Sequence, residues 1–413
     1  MLCLLLCACA VQRSAPGTAK YDVDVLVIGP HPDDEALLAA GVMRRAVARG
    51  QHVAVILMTN GDLSCERNGY IREAETIDAM RLVGVPEGDV HFLGYPDGDL
   101  GIMGPTSLPL LERRATDGRC VKTAWTYATR GASGADEHTA RTGRPGEYTA
   151  DALTGDLAAL LTRLRPRDVY ITHGIDDHPD HAATYAYFRR ALDRVDIAPP
   201  RVHRGIIHAG RCWPGDCEVP FRPGEAMPPL PPPMEKYLPR ERLPVEPNFK
   251  LEVISQYDSQ TGLTPRTDWL ASFARREETF YPEELVRTDS GRWLRAPAPG
   301  SQQPADELEL EFKNFPLLGL TASRDKGLDE FELFLSHDRV TLNRVEGWNR
   351  RRIGRWPRPY TESTTLRLRV DPRPDDGDVA EWSIWGDEGF IGQAVMTPAE
   401  VHVEVKAPPT WVD

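Results

Sequence analysis

The sequence predicts an α/β fold: a Rossmann-like, mostly parallel sheet flanked by helices, followed by an all-β, sandwich-like C-terminal domain. Three observations carry this. Short β-branched runs alternate with helical segments through the first part of the chain. Strict apolar–polar alternation takes over beyond about residue 300. The stretch Ala296-Pro297-Ala298-Pro299-Gly300 separates the two regimes as a linker. The 413 residues also suit two domains, with room for a third, at roughly 100–200 residues each.

The elements read in order as follows. Val23-Asp-Val-Leu-Val-Ile28 is a short buried strand. Residues 34–49 are a helix, with Leu38, Val42 and Ala46 near helical spacing and Gly50 as the stop. His52 to Thr59 is a second buried strand, residues 70–83 a helix ended by Gly84, and Val90 to Leu93 a short strand. Leu153, Leu157, Leu160, Leu161 and Leu164 mark a helix before Pro166. Val169 to Thr172 is a strand, 182–193 a helix and Gly205 to His208 a strand. Residues 104–150 break this rhythm and are too long for a plain connector, as binding loops and lids often are. Residues 214–247 are Pro-rich and read as an irregular surface excursion, and 250–280 return to a helical pattern. Glu307–Phe312, Phe331–Leu335, Thr365–Val370 and Val401–Val405 alternate as half-buried antiparallel strands do. The resulting division is 1–20, 21–299 and 300–413.

Composition narrows the function. Hydrophobic residues make 41% and charged residues 27% of the chain, as in ordinary globular proteins. Lys+Arg 49 against Asp+Glu 62 gives a net charge of −13. That argues against a nucleic-acid partner, whose binding domain would be basic.

The N-terminus and the cysteines point to a compartment. Leu2 to Val11 is apolar but far too short to span a bilayer. It resembles the apolar core and cleavage zone of a secretory signal. Leu6-Cys7-Ala8-Cys9 looks like a bacterial lipobox, with Cys9 as the lipidated residue and the route to membrane attachment. Residues 1–20 are therefore expected to be a signal or lipoprotein-type segment, and the protein to be exported to the cell envelope or secreted. Of seven cysteines, Cys65, Cys120, Cys212 and Cys217 lie outside that segment. Four cysteines allow three pairings. Cys212 and Cys217 flank a turn sequence, Trp-Pro-Gly-Asp, so a local bridge is expected there, with Cys65–Cys120 as the second.

The chemistry sits at two strand ends. The first strand runs into Gly29-Pro30-His31-Pro32-Asp33-Asp34-Glu35. A phosphate-cradling turn at this place would be Gly-rich. This one is built of proline, histidine and acid, which suits a metal: imidazole and carboxylate three residues apart can converge on one cation. A later strand runs into Thr172-His173-Gly174-Ile175-Asp176-Asp177-His178-Pro179-Asp180-His181. Ligands bind beyond the carboxyl ends of strands in open α/β sheets, so the two turns are expected to meet.

Pro30-His31-Pro32-Asp33-Asp34-Glu35 followed by His178-Pro179-Asp180-His181 resembles the PIG-L/LmbE-like family of zinc-dependent N-acetylglucosaminyl deacetylases. Arg72-Glu73, Leu93-Gly94, Pro96-Asp97-Gly98 and the stretch from Lys250 to Gln260 with Trp269-Leu270 and Phe273 match its pattern too. The resemblance covers about residues 22–285. It implies that His31, Asp34 and His181 hold Zn²⁺ and that Asp33 is the general base. It implies that His178 is the acid or oxyanion-stabilising partner, oriented by Asp180, and that Arg72 and Asp97 contact the sugar. The substrate it implies is an amino-sugar glycan.

Amide hydrolysis needs a nucleophile, a polarised carbonyl and a proton for the leaving amine, and these residue types supply all three. His178 as imidazolium would stabilise the oxyanion, with Asp180 holding its tautomer and raising its pKa. His173 is either core or site-lining, and Glu35 reads as a first-turn acid favoured by the helix dipole. A non-haem iron site, a non-catalytic sugar-binding protein and a zinc hydrolase of another ester or amide are the alternatives. In the C-terminal region Trp348, Trp356, Trp382 and Trp385, with interleaved arginines, read as sandwich core or as a platform for polysaccharide.

Overall fold

The computed structural model describes residues 21–295, apart from 64–65, 104–111, 115–119, 123, 129–133, 216–221, 233, 236, 262–268 and 288–292, together with the strands beyond residue 305. The expected signal segment, Cys9 included, lies outside these residues.

Strands β1 (Val23–Gly29), β2 (Val53–Thr59) and β3 (Val90–Tyr95) alternate with helices α1 (Asp34–Ala48) and α2 (Glu66–Val83). The long segment before residue 150 holds a small hairpin, β4 (Glu112–Arg114) and β5 (Cys120–Lys122), and helix α3 (Glu137–Thr142). Then come α4 (Ala150–Leu164), β6 (Pro166–Thr172), α5 (Pro179–Asp193) and β7 (Arg201–Gly205). The α/β part closes with β8 (Glu241–Pro244), α6 (Pro247–Ile254), α7 (Asp258–Thr261) and β9 (Glu277–Glu283).

The seven-stranded sheet has the order β3-β2-β1-β6-β7-β9-β8. β1 to β3, β6 and β7 are parallel, with Val27 level with Val55 on one side and Tyr170 on the other. β9 and β8 are added antiparallel. The strand order reverses between β1 and β6, so a crevice opens at their carboxyl ends, where doubly wound sheets bind ligands.

The β-branched runs are buried because both sheet faces are covered. Val25, Val27, Val55 and Leu57 face α1, α2 and α6. Leu26, Ile28, Ile56 and Met58 face the layer of Leu153, Leu157 and Phe188 from α4 and α5. These two clusters are the core of the α/β part.

Several boundaries differ from the expectation. The strand placed at 205–208 is Arg201–Gly205, because its ladder with β6 ends at the Thr172–Gly205 pair and apolar Ile206-Ile207 lies beyond it. Helix α5 starts at Pro179, since His178 accepts the Asp180 N–H and caps it. The Pro-rich excursion contains β8, and the helical pattern ends before β9.

Beyond a short hairpin, β10 (Leu285–Arg287) and β11 (Trp293–Arg295), the C-terminal region is all antiparallel. One sheet holds β12 (Asp306–Lys313), β17 (Ser363–Arg373), β18 (Val379–Gly386) and β19 (Gly389–Met396). The other holds β13 (Leu318–Arg324), β14 (Asp329–Leu335), β15 (Arg339–Glu346), β16 (Asn349–Pro357) and β20 (Glu404–Lys406). β19 and β16 pack on α5. Residues 401–403 of the last expected strand lie outside the described residues.

Candidate active site

The turn after β1 and the turn after β6 meet at the crevice. Asp34 Oδ2 lies 3.0 Å from His31 Nδ1 and 3.2 Å from His181 Nε2. The His31, His178 and His181 rings pack at centroid distances of 4.9, 5.3 and 4.7 Å, with ring nitrogens close enough to share one ion. His31 Nε2 lies 3.1 Å from both Asp97 Oδ1 and Asp180 Oδ2.

His181 tests whether a metal suits this place. It is fully buried, and its Nε2 faces Asp34 Oδ2 at 3.2 Å without hydrogen-bond geometry at either ring nitrogen. Asp176 Oδ2 stands 3.3 Å from Nδ1. A buried imidazole whose nitrogens meet carboxylates at poor angles has room for a better partner between them. Imidazole nitrogen and carboxylate oxygen are the ligand types of zinc, and a carboxylate behind a ligating histidine is the usual support. The residues present therefore fit a divalent cation. The local field agrees. Burial works against charge on His181, but Asp34 and Asp176 outweigh it and push its pKa up to about 10. The carboxylates that favour an imidazolium here would also favour a metal cation.

Asp33 sits beside these groups in an uncommon backbone conformation, φ 130°. Such strain clusters at functional sites and must be held by its surroundings. Here Glu35 Oε2 accepts the Asp33 N–H at 3.1 Å, and Tyr257 donates to the other Glu35 oxygen. Glu35 is buried and works as that brace, beyond the dipole role expected of it. Arg72 holds the same turn from below. Its guanidinium donates to Pro32 O at 2.7 Å, Gly61 O at 3.2 Å and Asp33 Oδ2 at 3.0 Å. A Cβ on Gly61, at φ +64°, would come 2.5 Å from that guanidinium and push it off the turn. Burial pushes the Asp33 pKa up to about 7, although Arg72 pulls it back.

Three expected roles change in this arrangement. Asp180 does not orient His178 with its carboxylate. Its oxygens accept from Gly98 N at 2.7 Å and Leu100 N at 3.1 Å and face His31. The His178 pKa is lowered, not raised, by burial and by the neighbouring His181 and His31. Arg72, expected against the sugar, gives Nε and Nη2 to the motif turn and Nη1 to Gly61 O, with Asp97 Oδ2 3.5 Å from Nη1. Asp97 stands at the crevice beside His31, and its own N–H is held by Asp62 Oδ1 at 3.1 Å. Tyr127, from the 104–150 segment, donates to the other Asp62 oxygen.

Further residues surround the site. Asp176 is the hub of its turn, accepting from His178 N at 3.0 Å, Ile207 N at 2.8 Å and His208 N at 3.1 Å. His208 brings a fourth imidazole, 4.8 Å from His181 and 5.1 Å from His178, with Trp269 stacked on it at 4.7 Å. Its only sequence signal is its place as the last residue of the strand expected at 205–208. His173 is core, bonded to Tyr237 Oη at 3.2 Å. Trp382 and Trp385 are buried, which removes them from any exposed platform, and the Trp348 and Trp356 side chains lie outside the described residues. Cys212 is disulfide-bonded. Cys217 and Cys65, and the side chain of Cys120, lie outside the described residues.

Residues 26–192 match the family model described as PIG-L: GlcNAc-PI de-N-acetylase. The chain is 27% identical over 177 residues to the 1D-myo-inositol 2-acetamido-2-deoxy-alpha-D-glucopyranoside deacetylase of Streptomyces griseus, covering 41% of this chain and 48% of that protein. It is 25% identical over 198 residues to the "Probable N-acetyl-alpha-D-glucosaminyl L-malate deacetylase 2" of Bacillus cereus, covering 45% and 66%. It thus spans about half to two thirds of the length of these relatives. Among solved structures it is similar to the N,N'-diacetylchitobiose deacetylase of Pyrococcus horikoshii, with 16% identity, TM-score 0.37 and coverage of 63% and 83%. A deacetylase of teicoplanin biosynthesis gives 17% identity, TM-score 0.38 and coverage of 67% and 100%.

Proposed function

Since residues 26–192 form a PIG-L family domain, we propose that this protein is a zinc-dependent hydrolase that removes the N-acetyl group from an N-acetylglucosamine-type amino sugar. The observation that carries the reading is the convergence of His31 Nδ1 and His181 Nε2 on Asp34 Oδ2, with all three side chains buried.

His31, Asp34 and His181 would hold the ion, which when bound polarises the amide carbonyl and acidifies water. Asp33 takes the proton of the attacking water. Its pKa near neutrality suits a group that accepts a proton in one step and returns it to the leaving amine in the next. His178 is neutral, and its Nδ1 accepts the Asp180 N–H at 3.2 Å, so its proton is on Nε2. That N–H is the donor for the developing oxyanion. Asp176 keeps His181 facing the site.

We propose further that the protein is exported and acts on a cell-envelope or extracellular glycan. Support comes from the Leu6–Cys9 segment and from the disulfide at Cys212, which is favoured by an oxidising compartment. Incubation with a panel of N-acetylated mono- and oligosaccharides, with detection of new primary amine, tests the activity. Amine release from an N-acetyl amino sugar is the expected result, and release from none of them would remove the reading.

A further inference from the structure

A chain of buried hydrogen bonds runs from the catalytic turn into the C-terminal sheet. Its first link is the Ile175 N–H, which donates to His173 Nδ1 at 3.1 Å. The other ring nitrogen, Nε2, lies 3.2 Å from Tyr237 Oη. Tyr237 donates to Glu381 Oε2 at 3.3 Å. Glu381 Oε1 accepts from Arg204 Nη1 at 2.5 Å. Each link sets the sense of the next. A carboxylate can only accept, so the Tyr237 hydroxyl spends its proton on Glu381 and must accept from His173. His173 is thereby fixed as the Nε2–H tautomer, which leaves Nδ1 free to accept from Ile175.

The two ends of this chain belong to different parts of the fold. Glu381 is on β18 and is fully buried, as are Arg204 on β7 and His173. Gln393 of β19 also accepts from Arg204, at 2.7 Å, and Arg190 of α5 donates to Phe390 O at 2.8 Å. Removal of the C-terminal sheet would take Glu381 and Gln393 from Arg204 and leave this buried cation only Glu283 of β9, 3.9 Å away, as a charge partner, which is destabilising. At the other end, Ile175 precedes Asp176, which holds His178 and His208 by their N–H groups and stands behind His181.

We propose that Glu381 is a positioning residue for the active site. Through Tyr237 and His173 it fixes the turn that carries Asp176, His178 and His181. The C-terminal sheet is then a working part of the enzyme and not an appended module. The catalytic part of this inference rests on the deacetylase reading. The positioning part does not.

Glu381→Ala risks misfolding, because it removes the nearer of the two carboxylates that face buried Arg204. Tyr237→Phe is the decisive variant: it keeps the ring stacked on Tyr281, 4.5 Å away, and deletes only the bridging hydroxyl. Two readouts are taken on the full chain. Hydrogen exchange at residues 173–178 should rise several-fold while that of β1 and β2 stays unchanged. The kcat for amine release should fall roughly 10–100-fold with KM within about twofold, as expected for a misplaced catalytic group. Unchanged exchange at 173–178 overturns the proposal, as does a rise spread evenly over the sheet with kcat retained. If the wild-type protein releases no amine, the deacetylase reading fails, and the exchange readout still decides the positioning role.

Discussion

Asp33 Oδ2 lies 3.0 Å from Nη2 of Arg72, and both side chains are buried beneath the crevice. The pair explains how a carboxylate can stand beside a metal site without being spent as a ligand. Asp33→Asn should keep the fold, since the amide oxygen can still accept from Arg72 and Glu35 still accepts the backbone N–H. It should also keep the metal and lose activity by about 10²–10⁴-fold, because an amide cannot accept the water proton. Metal content and amine release measured on the same preparation check this. If both acids of the turn only capped α1, Asp33→Asn and Asp34→Asn would behave alike.

The same pair sets a pH dependence. Burial raises the Asp33 pKa to about 7 and Arg72 opposes that rise. The base must be ionised, so activity should fall as pH drops through neutrality. Arg72→Gln removes the opposing charge and should move this acidic limb to higher pH, whereas Arg72→Lys should leave it nearer its place. A pH–rate profile of the three proteins gives the answer, and an acidic limb that does not move in Arg72→Gln contradicts the pairing.

Asp34 and Asp176 should affect the metal rather than proton transfer. Asp34→Asn replaces an anionic ligand with a neutral one and should weaken metal retention the most. Asp176→Asn removes the carboxylate behind His181 and should cost roughly 10–100-fold in metal affinity. Chelator competition would rank the two variants. Equal affinity in Asp176→Asn and wild type would show that Asp176 only shapes the turn.

His203 gives a stability test away from the site. Burial lowers its pKa, but bonds to Asp168 at 3.2 Å and Glu241 at 2.6 Å outweigh burial and raise it above 6.5. A folded pKa above the unfolded value means stabilisation that is fully present below about pH 6.5 and lost as pH rises through the folded value. The Tm deficit of His203→Gln should therefore shrink from acidic to alkaline pH. A deficit independent of pH would contradict the assignment.

Much of the sheet and the heart of the site were legible because their signals are local. β-branched runs reveal β1, β2 and β6 directly, and His31-x-x-Asp34 and His178-x-x-His181 carry their chemistry within one turn each. What escaped was long-range. β8 and β9 owe their strand form to pairing with each other and with β7, across a Pro-rich segment whose composition reads as loop. Glu35 looks like an ordinary first-turn acid until Tyr257 reaches it from 222 residues away. Asp180 faces His31 instead of its sequence neighbour because Gly98 and Leu100 turn their N–H groups toward it.

The central claim is that one metal ion, held by His31, Asp34 and His181, enables release of amine from an N-acetyl amino sugar. The direct measurement is zinc titration of chelator-treated protein, with bound zinc and amine release followed together. Activity should be lost on chelation and return in proportion to zinc, reaching its maximum at one ion per chain. Amine release that persists in metal-free protein would contradict it, as would full zinc occupancy without release from any N-acetyl amino sugar.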